Sequence, residues 1–384
     1  MPAIPLHWDI FCAVVDNYGD VGVAWRLARQ LAREHALAVR LFVDNMPALA
    51  RLAPGIEVSA DAQCAHGVDV RRWAGAQSDL VEEPGDAVIE AFGCGLPPTY
   101  LARLAARAPP PVWVNLEYLS AESWIEGCHR LASRHPTLPL TRYFFFPGFT
   151  AQSGGLPRER DLLDRRDRFR ADSRERDALW RRLGVPAPAP ETRIVSLFCY
   201  PNLALPSLLD AWAQEEVPLL CLVPEGVASA ALARWTGGVA LDAGTQLKRG
   251  RLALAGIPFV SQEDYDRLLW ACDVNFVRGE DSFVRAQWAG RPMVWHAYPQ
   301  AGNAHRLKLD AFLGRYTLAL PAEPAEALRN ISTAWNAGNG AGSLWPRFAA
   351  VLPALSAHAE AWAHGLAQQP DLATTLVRFC ADRV

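Results

Sequence analysis

An alternation of short apolar runs with amphipathic helical patterns, played through twice, restricts this chain more than any other feature. The first round opens on residues 8–15 (WDIFCAVV) and crosses the loop DNYGDVG. It then enters a helix in which Val21, Ala24, Trp25, Ala28, Leu31 and Ala32 recur at helical spacing, with Arg26, Arg29 and Arg33 on other faces. The strand VRLFV (39–43) follows, then the apolar runs 86–92 and 111–117, with a helical pattern over 98–107. A charged helical stretch (156–183) and a stiff Pro-rich segment, VPAPAPE (185–191), interrupt the pattern. It restarts with the strand RIVSLF (193–198), a helix from about Pro206 and the strand 217–223. A helix over 263–272, the strand 274–278, a helix over 281–289 and the strand 292–298 complete it, and helices fill most of 304–384. Strand, helix, strand with short connections predicts a parallel, doubly wound sheet. Two such rounds predict an α/β fold of two Rossmann-like halves, with a cleft lined by both sheets' carboxyl edges.

Composition agrees. At about 150 residues per domain, 384 residues make two to three domains, and 51% hydrophobic content with 21% charge suits a well-buried core. Lys+Arg 38 against Asp+Glu 41 gives a net charge of −3, so no basic field recommends nucleic acid or an anionic membrane as partner. Lys248 and Lys308 are the only lysines. The eight cysteines show no CxxC pair and no metal-ligand spacing, and Cys12, Cys221 and Cys272 sit inside apolar runs, as buried reduced thiols do. Asp9 and Asp16 bracket the first apolar run and no basic segment precedes it, so it reads as a strand rather than a signal peptide. No stretch of about 18 apolar residues offers a membrane span. A cytoplasmic, soluble protein is expected.

In a dinucleotide-binding unit the first strand-to-helix loop reads GxGxxG and its amides cradle a diphosphate. Here it reads Asp16-Asn17-Tyr18-Gly19-Asp20-Val21-Gly22. Two carboxylates at the end of the first strand repel a diphosphate and suit a cationic or proton-donating acceptor, one orienting it and the other acting as base. The plainer alternative is that Asp20 only caps the helix that follows.

The second half offers the opposite chemistry. In VNFVRGEDSFVRAQWAGRPMVWHAYPQ (274–300) a buried strand ends at Arg278-Gly279, and Glu280-Asp281-Ser282 opens a helix. Amides at that helix start, with the dipole behind them, form an anion site in which Arg278 and Ser282 assist. The alternative is a charged helix start and nothing more. Phe198 and Tyr200 end the first strand of this half, and Phe259 and Tyr265 bracket Gln262; such rings clamp a flat base or simply pack the core. The nine histidines, His296 included, show no metal spacing, and GxSxG, Walker and zinc motifs are absent.

The runs DNYGDVGVAWRLARQL, NLEYLSAESW (115–124), YFFFPGF (143–149) and RGEDSFVRAQWAGRPMVWHAYPQ resemble the EarP family of protein-arginine rhamnosyltransferases over essentially the whole chain. The resemblance implies a GT-B architecture of two facing Rossmann-like domains, residues 1–184 joined by a C-terminal helix at 362–384, and residues 191–361. It also implies inverting transfer of L-rhamnose from dTDP-β-L-rhamnose to an arginine of translation elongation factor P, without metal or cofactor, activating that factor for ribosomes stalled at proline runs. By the same resemblance Asp20 is the general base, Asp16 orients the acceptor guanidinium and Glu280 is a third essential carboxylate. Arg278, Asp281 and Ser282 line the donor's diphosphate and sugar, and Asn17, Tyr18, Gly19 and Gly279 also bind the donor. Tyr200, Val260, Ser261 and Gln262 surround the nucleotide, Phe198 and Phe259 stack on thymine, and Tyr298 reaches the phosphates. Tyr265 stands where relatives are expected to carry Phe. Competing readings are a GT-B enzyme with a small-molecule or lipid acceptor, a noncatalytic nucleotide-sugar-binding regulator, and a dehydrogenase, against which the missing GxGxxG counts.

Overall fold

The structure is a computed structural model that describes residues 6–16, 18–300, 302 and 304–383. The chain divides into two compact units, the first built from residues 1–160 and 366–384, the second from 161–365.

In the first unit the described elements are β1 (His7–Cys12), α1 (Gly19–Glu34), β2 (Ala38–Val43), α2 (Met46–Leu52), β3 (Ala62–Ala65), β4 (Val68–Arg72), β5 (Ala87–Ala91), α3 (Pro98–Ala106), β6 (Val112–Leu116), α4 (Trp124–Cys128), β7 (Ala132–Arg134) and β8 (Thr141–Phe145). The second unit holds α5 (Leu162–Ala171), α6 (Ser173–Leu183), β9 (Arg193–Leu197), α7 (Leu205–Ala213), β10 (Leu219–Pro224), α8 (Ser229–Trp235), β11 (Gln246–Arg249) and β12 (Leu252–Ile257). It continues through α9 (Gln262–Ala271), β13 (Val274–Arg278), α10 (Asp281–Ala289), β14 (Met293–His296), α11 (Ala304–Tyr316), α12 (Ala322–Ala337), α13 (Ala341–Ala350) and α14 (Leu352–Ala367). The final helix, α15 (Leu372–Ala381), belongs to the first unit.

The first sheet runs β3-β4-β2-β1-β5-β6-β8-β7 and the second β11-β12-β10-β9-β13-β14. All pairings are parallel except those of the outer strands β3, β7 and β11, each of which folds back as one arm of an antiparallel hairpin. The order reverses beside β1 in the first sheet, where β2 lies on one side and β5 on the other. It reverses beside β9 in the second, between β10 and β13. Crevices outside the carboxyl ends of strands at such reversals are where doubly wound sheets hold their ligands.

The predicted apolar stripe of α1 is buried, Val21, Ala24, Trp25, Ala28 and Leu31 included. Arg26, expected on another face, is buried too and pairs with Glu159 at 3.5 Å. The opposite face of the sheet packs Phe11 on Phe42, stacked at 4.4 Å, under Tyr100 and Leu104 of α3. In the second unit Trp212, Phe276 and Trp335 interlock edge to face at 5.0–5.6 Å.

The division of the chain differs from the expected one. Residues 161–184 were assigned to the first domain, with the Pro-rich segment as linker, but α5 and α6 pack in the second unit. Arg166 donates to the Trp288 carbonyl at 3.0 Å, Arg182 pairs with Asp264 at 3.0 Å, and Phe169 lies 5.8 Å from Trp270. The chain returns to the first unit at Leu366 rather than 362. There Asp371 caps α15 through the Thr374 amide at 2.9 Å and accepts from Gln30 of α1 at 3.0 Å.

Candidate active site

β1 stops at Cys12, short of the expected Val15, because residues 13–16 turn away to serve side chains. The Val14 amide donates to Asp44 at 3.0 Å. The Val15 and Asp16 amides both donate to Asp20 Oδ2, at 2.7 and 2.8 Å. Asp20 is therefore not the residue at the cap position of α1. That position belongs to Tyr18, whose side chain makes no capping bond, and Asp20 reaches back from the first turn to lock the loop. Its carboxylate is 2% exposed. One oxygen carries both amides, while Oδ1 has no hydrogen-bond partner among the described residues. Fixing one oxygen this way sets the plane of the carboxylate and the direction of the other.

Asp16 folds over the start of the same helix. Its Oδ2 lies 2.8 Å from where a β-carbon on Gly19 would stand, and its carbonyl accepts the Gly19 amide at 2.7 Å. Glycine at 19 thus makes room for the Asp16 carboxylate. Asn17, the remaining predicted loop residue, lies outside the described residues. Two carboxylates, Asp16 and Asp20, are brought to the carboxyl end of β1, the order reversal of the first sheet.

A residue the sequence reading did not assign sits on the same edge. Glu117, just past β6, accepts from Asn115 Nδ2 at 2.6 Å, and buried Asn115 in turn accepts the Gly93 amide at 3.1 Å. Beside it Phe92 and Tyr118 stack at 4.4 Å. The run NLEYLSAESW (115–124) contains it, but no role was attached to its carboxylate. By contrast, a cleft at the amino ends of β1 and β2 has its charges already matched, Arg40 to buried Asp9 at 2.6 Å and Arg107 to Asp86 at 2.9 Å.

In the second unit the edge at β9 and β13 gathers the predicted donor residues. Phe198 follows β9 and donates its amide to the Phe276 carbonyl at 2.9 Å. Arg278 ends β13, with its guanidinium 4.3 Å from the ring of Phe198 and 4.9 Å from that of Tyr200, and donates to the Cys199 carbonyl at 3.2 Å. Gly279 takes a left-handed φ of 62°, which lets the strand turn directly into α10. Glu280 stands at the cap position of α10 without a side-chain cap, and Asp281 and Ser282 form its first turn. Buried Ser282 accepts the Arg278 amide at 3.1 Å and donates to the Arg278 carbonyl, closing the loop with a neutral hydroxyl. Asp281 accepts from Gln262 Nε2 at 3.2 Å.

Ser261 caps α9 through the Asp264 amide at 3.2 Å, which places buried Gln262 at the first helical position, with Phe259 and Val260 on the half-buried approach from β12. Tyr265 meets Phe198 edge to face at 5.8 Å, and burial pushes its hydroxyl's pKa up. Tyr298 is 41% exposed and crosses Tyr200 at 5.5 Å.

Two doubly wound units, each with a strand-to-helix loop of distinctive chemistry at its order reversal, are those of a GT-B glycosyltransferase. The family model for elongation factor P (EF-P) rhamnosyltransferase EarP matches residues 8–381, so the chain belongs to the EarP family. It is 51% identical to a protein-arginine rhamnosyltransferase of Pseudomonas putida, over 97% of this chain and 98% of that one. Identity to the protein of that description in Pseudomonas aeruginosa is 50%, over 98% and 99%. A solved structure described as the structural basis for EarP-mediated arginine glycosylation of translation elongation factor EF-P is 38% identical, with a TM-score of 0.71 over 98% of this chain and 99% of that one.

Proposed function

We propose that this enzyme transfers L-rhamnose from dTDP-β-L-rhamnose to one arginine side chain of translation elongation factor P, with inversion at the sugar and without a metal ion, acting in the cytoplasm. The observation that carries the reading is the family match over residues 8–381, joined to an acidic loop at one order reversal and an arginine-backed helix start at the other.

The acceptor explains the acidic loop. A guanidinium keeps its charge at neutral pH, with a pKa above about 12, and has no free lone pair, so it is a poor nucleophile. Carboxylate contacts from Asp16 fix its plane. Asp20 Oδ1 takes a proton as the guanidino nitrogen bonds to the anomeric carbon. In the same displacement the bond from that carbon to the diphosphate oxygen breaks, and the diphosphate leaves with the electron pair. Arg278 binds the diphosphate, and the first turn of α10 receives the charge that develops on it. Glu280 favours the oxocarbenium character of the sugar, as carboxylates do in glycoside hydrolysis. Phe198, Phe259 and Gln262 hold the base, with Tyr200 and Tyr298 beside the phosphates.

The test is intact mass spectrometry of elongation factor P incubated with the enzyme and dTDP-β-L-rhamnose. A gain of one deoxyhexose, mapped by fragmentation to an arginine, is the expected result. No gain while the donor still binds in calorimetry overturns the acceptor assignment and leaves the small-molecule or lipid alternative.

A further inference from the structure

The donor edge contains a titratable group that the reading above does not use. β13 and β14 are parallel neighbours, and their register sets His296 beside Arg278. The backbones are tied as well: the Gly279 amide donates to the His296 carbonyl at 3.3 Å, and Trp295 Nε1 donates to the Gly279 carbonyl at 2.8 Å. Asn336 of α12 clamps this strand end from behind, bonding the Trp295 carbonyl at 2.7 Å and the Ala297 amide at 3.0 Å. His296 is therefore part of the same frame that sets the Arg278–Gly279–Glu280 turn.

The His296 side chain is 5% exposed, with its ring edge to face against Tyr200 at 5.3 Å and Trp335 at 5.8 Å. Nδ1 is sealed from solvent and has no hydrogen-bond partner among the described residues. A buried polar atom left in this state costs free energy and calls for an explanation, one being a ligand, water or ion that completes the network. The titratable groups that act on it are Arg278 from β13 and His305 from α11; α12 presents Trp335 and Asn336, and the segment after β9 presents Tyr200. Burial, with Arg278 and His305 close by, pushes His296 down to about 4, so the ring is neutral in the free protein at neutral pH. Among the described residues, none of the groups that act on the ring is an anion.

A sugar nucleotide supplies one. Resting on the donor assignment above, we infer that His296 is a further donor-binding residue, which takes up a proton when the diphosphate seats on Arg278 and the first turn of α10. The negative charge reverses the electrostatics that keep the ring neutral and gives its N–H groups an acceptor. Affinity for the donor then rises as pH falls through the bound-state value towards that of the free protein. The uptake belongs to the protein, because both phosphates of a sugar nucleotide are diesters with no group titrating near neutrality.

The experiment is calorimetric titration of the enzyme with dTDP-β-L-rhamnose, without acceptor, at pH 6.5 and 8 in buffers of different ionisation enthalpy. The wild-type protein takes up a fraction of a proton at pH 6.5 and less at pH 8. His296→Phe keeps the ring packing, abolishes the uptake and weakens binding about tenfold at the lower pH, the scale of one charge-assisted bond. His296→Gln, which bonds but does not titrate, also loses the uptake while keeping more of the affinity. Wild-type proton count and affinity in His296→Phe overturn the inference alone and make His296 a packing residue. No binding by the wild-type protein overturns the donor assignment and this inference with it.

Discussion

The two units place a strand-to-helix loop at the same topological point and close it with opposite chemistry. In the first, a carboxylate locks the loop: Asp20 Oδ2 takes the Val15 and Asp16 amides, so the amides that a dinucleotide-binding loop offers to phosphate are spent on the protein's own anion. In the second, a neutral hydroxyl does that work. Ser282 bridges the Arg278 amide and carbonyl, and the guanidinium is left facing the rings of Phe198 and Tyr200. On the proposed assignments, the fold fixes where a ligand sits, and the residue that closes the loop sets the sign of the ligand. An acidic lock suits a guanidinium; a hydroxyl lock beside an arginine and a helix start suits a diphosphate.

The sharpest way to break this contrast is to neutralise the acidic lock. Asp20→Asn retains an oxygen for the two loop amides and puts an NH₂ where Oδ1 stood, so the loop stays closed while the base is gone. Turnover is expected to fall by about 10³-fold, with donor affinity in calorimetry unchanged. Retained turnover refutes the base assignment. The matching change in the second unit is Arg278→Ala. Loss of its charge-assisted contacts raises the KM for donor about 30-fold and leaves kcat at saturating donor much closer to wild type. A variant that loses kcat instead would mean that Arg278 acts chiefly on the departing diphosphate.

Much of this was legible in the sequence, and the gaps have physical reasons. The central strands are buried on both faces and announce themselves as apolar runs, so β1, β2, β5, β6, β9, β10 and β13 fall within the expected ranges to within a few residues at their ends. The outer hairpins were not read. β3 (AQCA), β7 (ASR) and β11 (QLKR) are short and largely exposed, without apolar alternation, and the β3–β4 turn rests on His66 and Gly67 at φ 53° and 83°. The boundary at 184–191 was placed by composition, because α5 and α6 look like a solvated charged stretch. Their burial is carried by Leu162, Phe169, Leu179, Trp180 and Leu183, and by Arg166, which is 1% exposed. At the candidate site the strand-end aromatics and the RGEDS turn could be placed from pattern alone. The reach of Asp20 back to two amides could not, since sequence spacing does not distinguish a cap from a lock. His296 stood out only as a histidine without metal spacing, because a buried imidazole whose Nδ1 has no partner has no motif.

A smaller perturbation probes geometry without removing a charge. In Gly19→Ala the new methyl meets Asp16 Oδ2 at 2.8 Å and must push that carboxylate aside. Roughly tenfold loss of turnover is expected from misplacing an orienting group, with Asp20 and the fold intact by circular dichroism. Wild-type kinetics would show that Asp16 need not lie over the helix start.

The smallest effect separates the units by pH. Each holds one strongly depressed histidine, His296 in the second and His129 in the first, both at about 4, beside a half-buried one that burial lowers without so large a shift, His358 and His35. His129 accepts the Phe146 amide at Nδ1 at 3.1 Å, and burial with neighbouring Arg130 disfavours its charge. In the unfolded chain both titrate near 6.5. Between these values the unfolded state binds more protons, so each histidine's contribution to stability is full above about 6.5 and is lost as pH falls towards 4. A loss of about 1 kcal/mol lowers Tm by roughly 2–4 °C in units of this size. Thermal unfolding at pH 7 and 5, with and without dTDP-β-L-rhamnose, reads the difference. If a bound diphosphate stabilises protonated His296, saturating donor flattens the acid-induced drop of the second unit and leaves the His129-dependent drop of the first in place. Substituting His129 by Gln removes the latter alone. Equal flattening of both drops by donor would mean that the pH response belongs to the whole chain and that the two edges are not electrostatically independent.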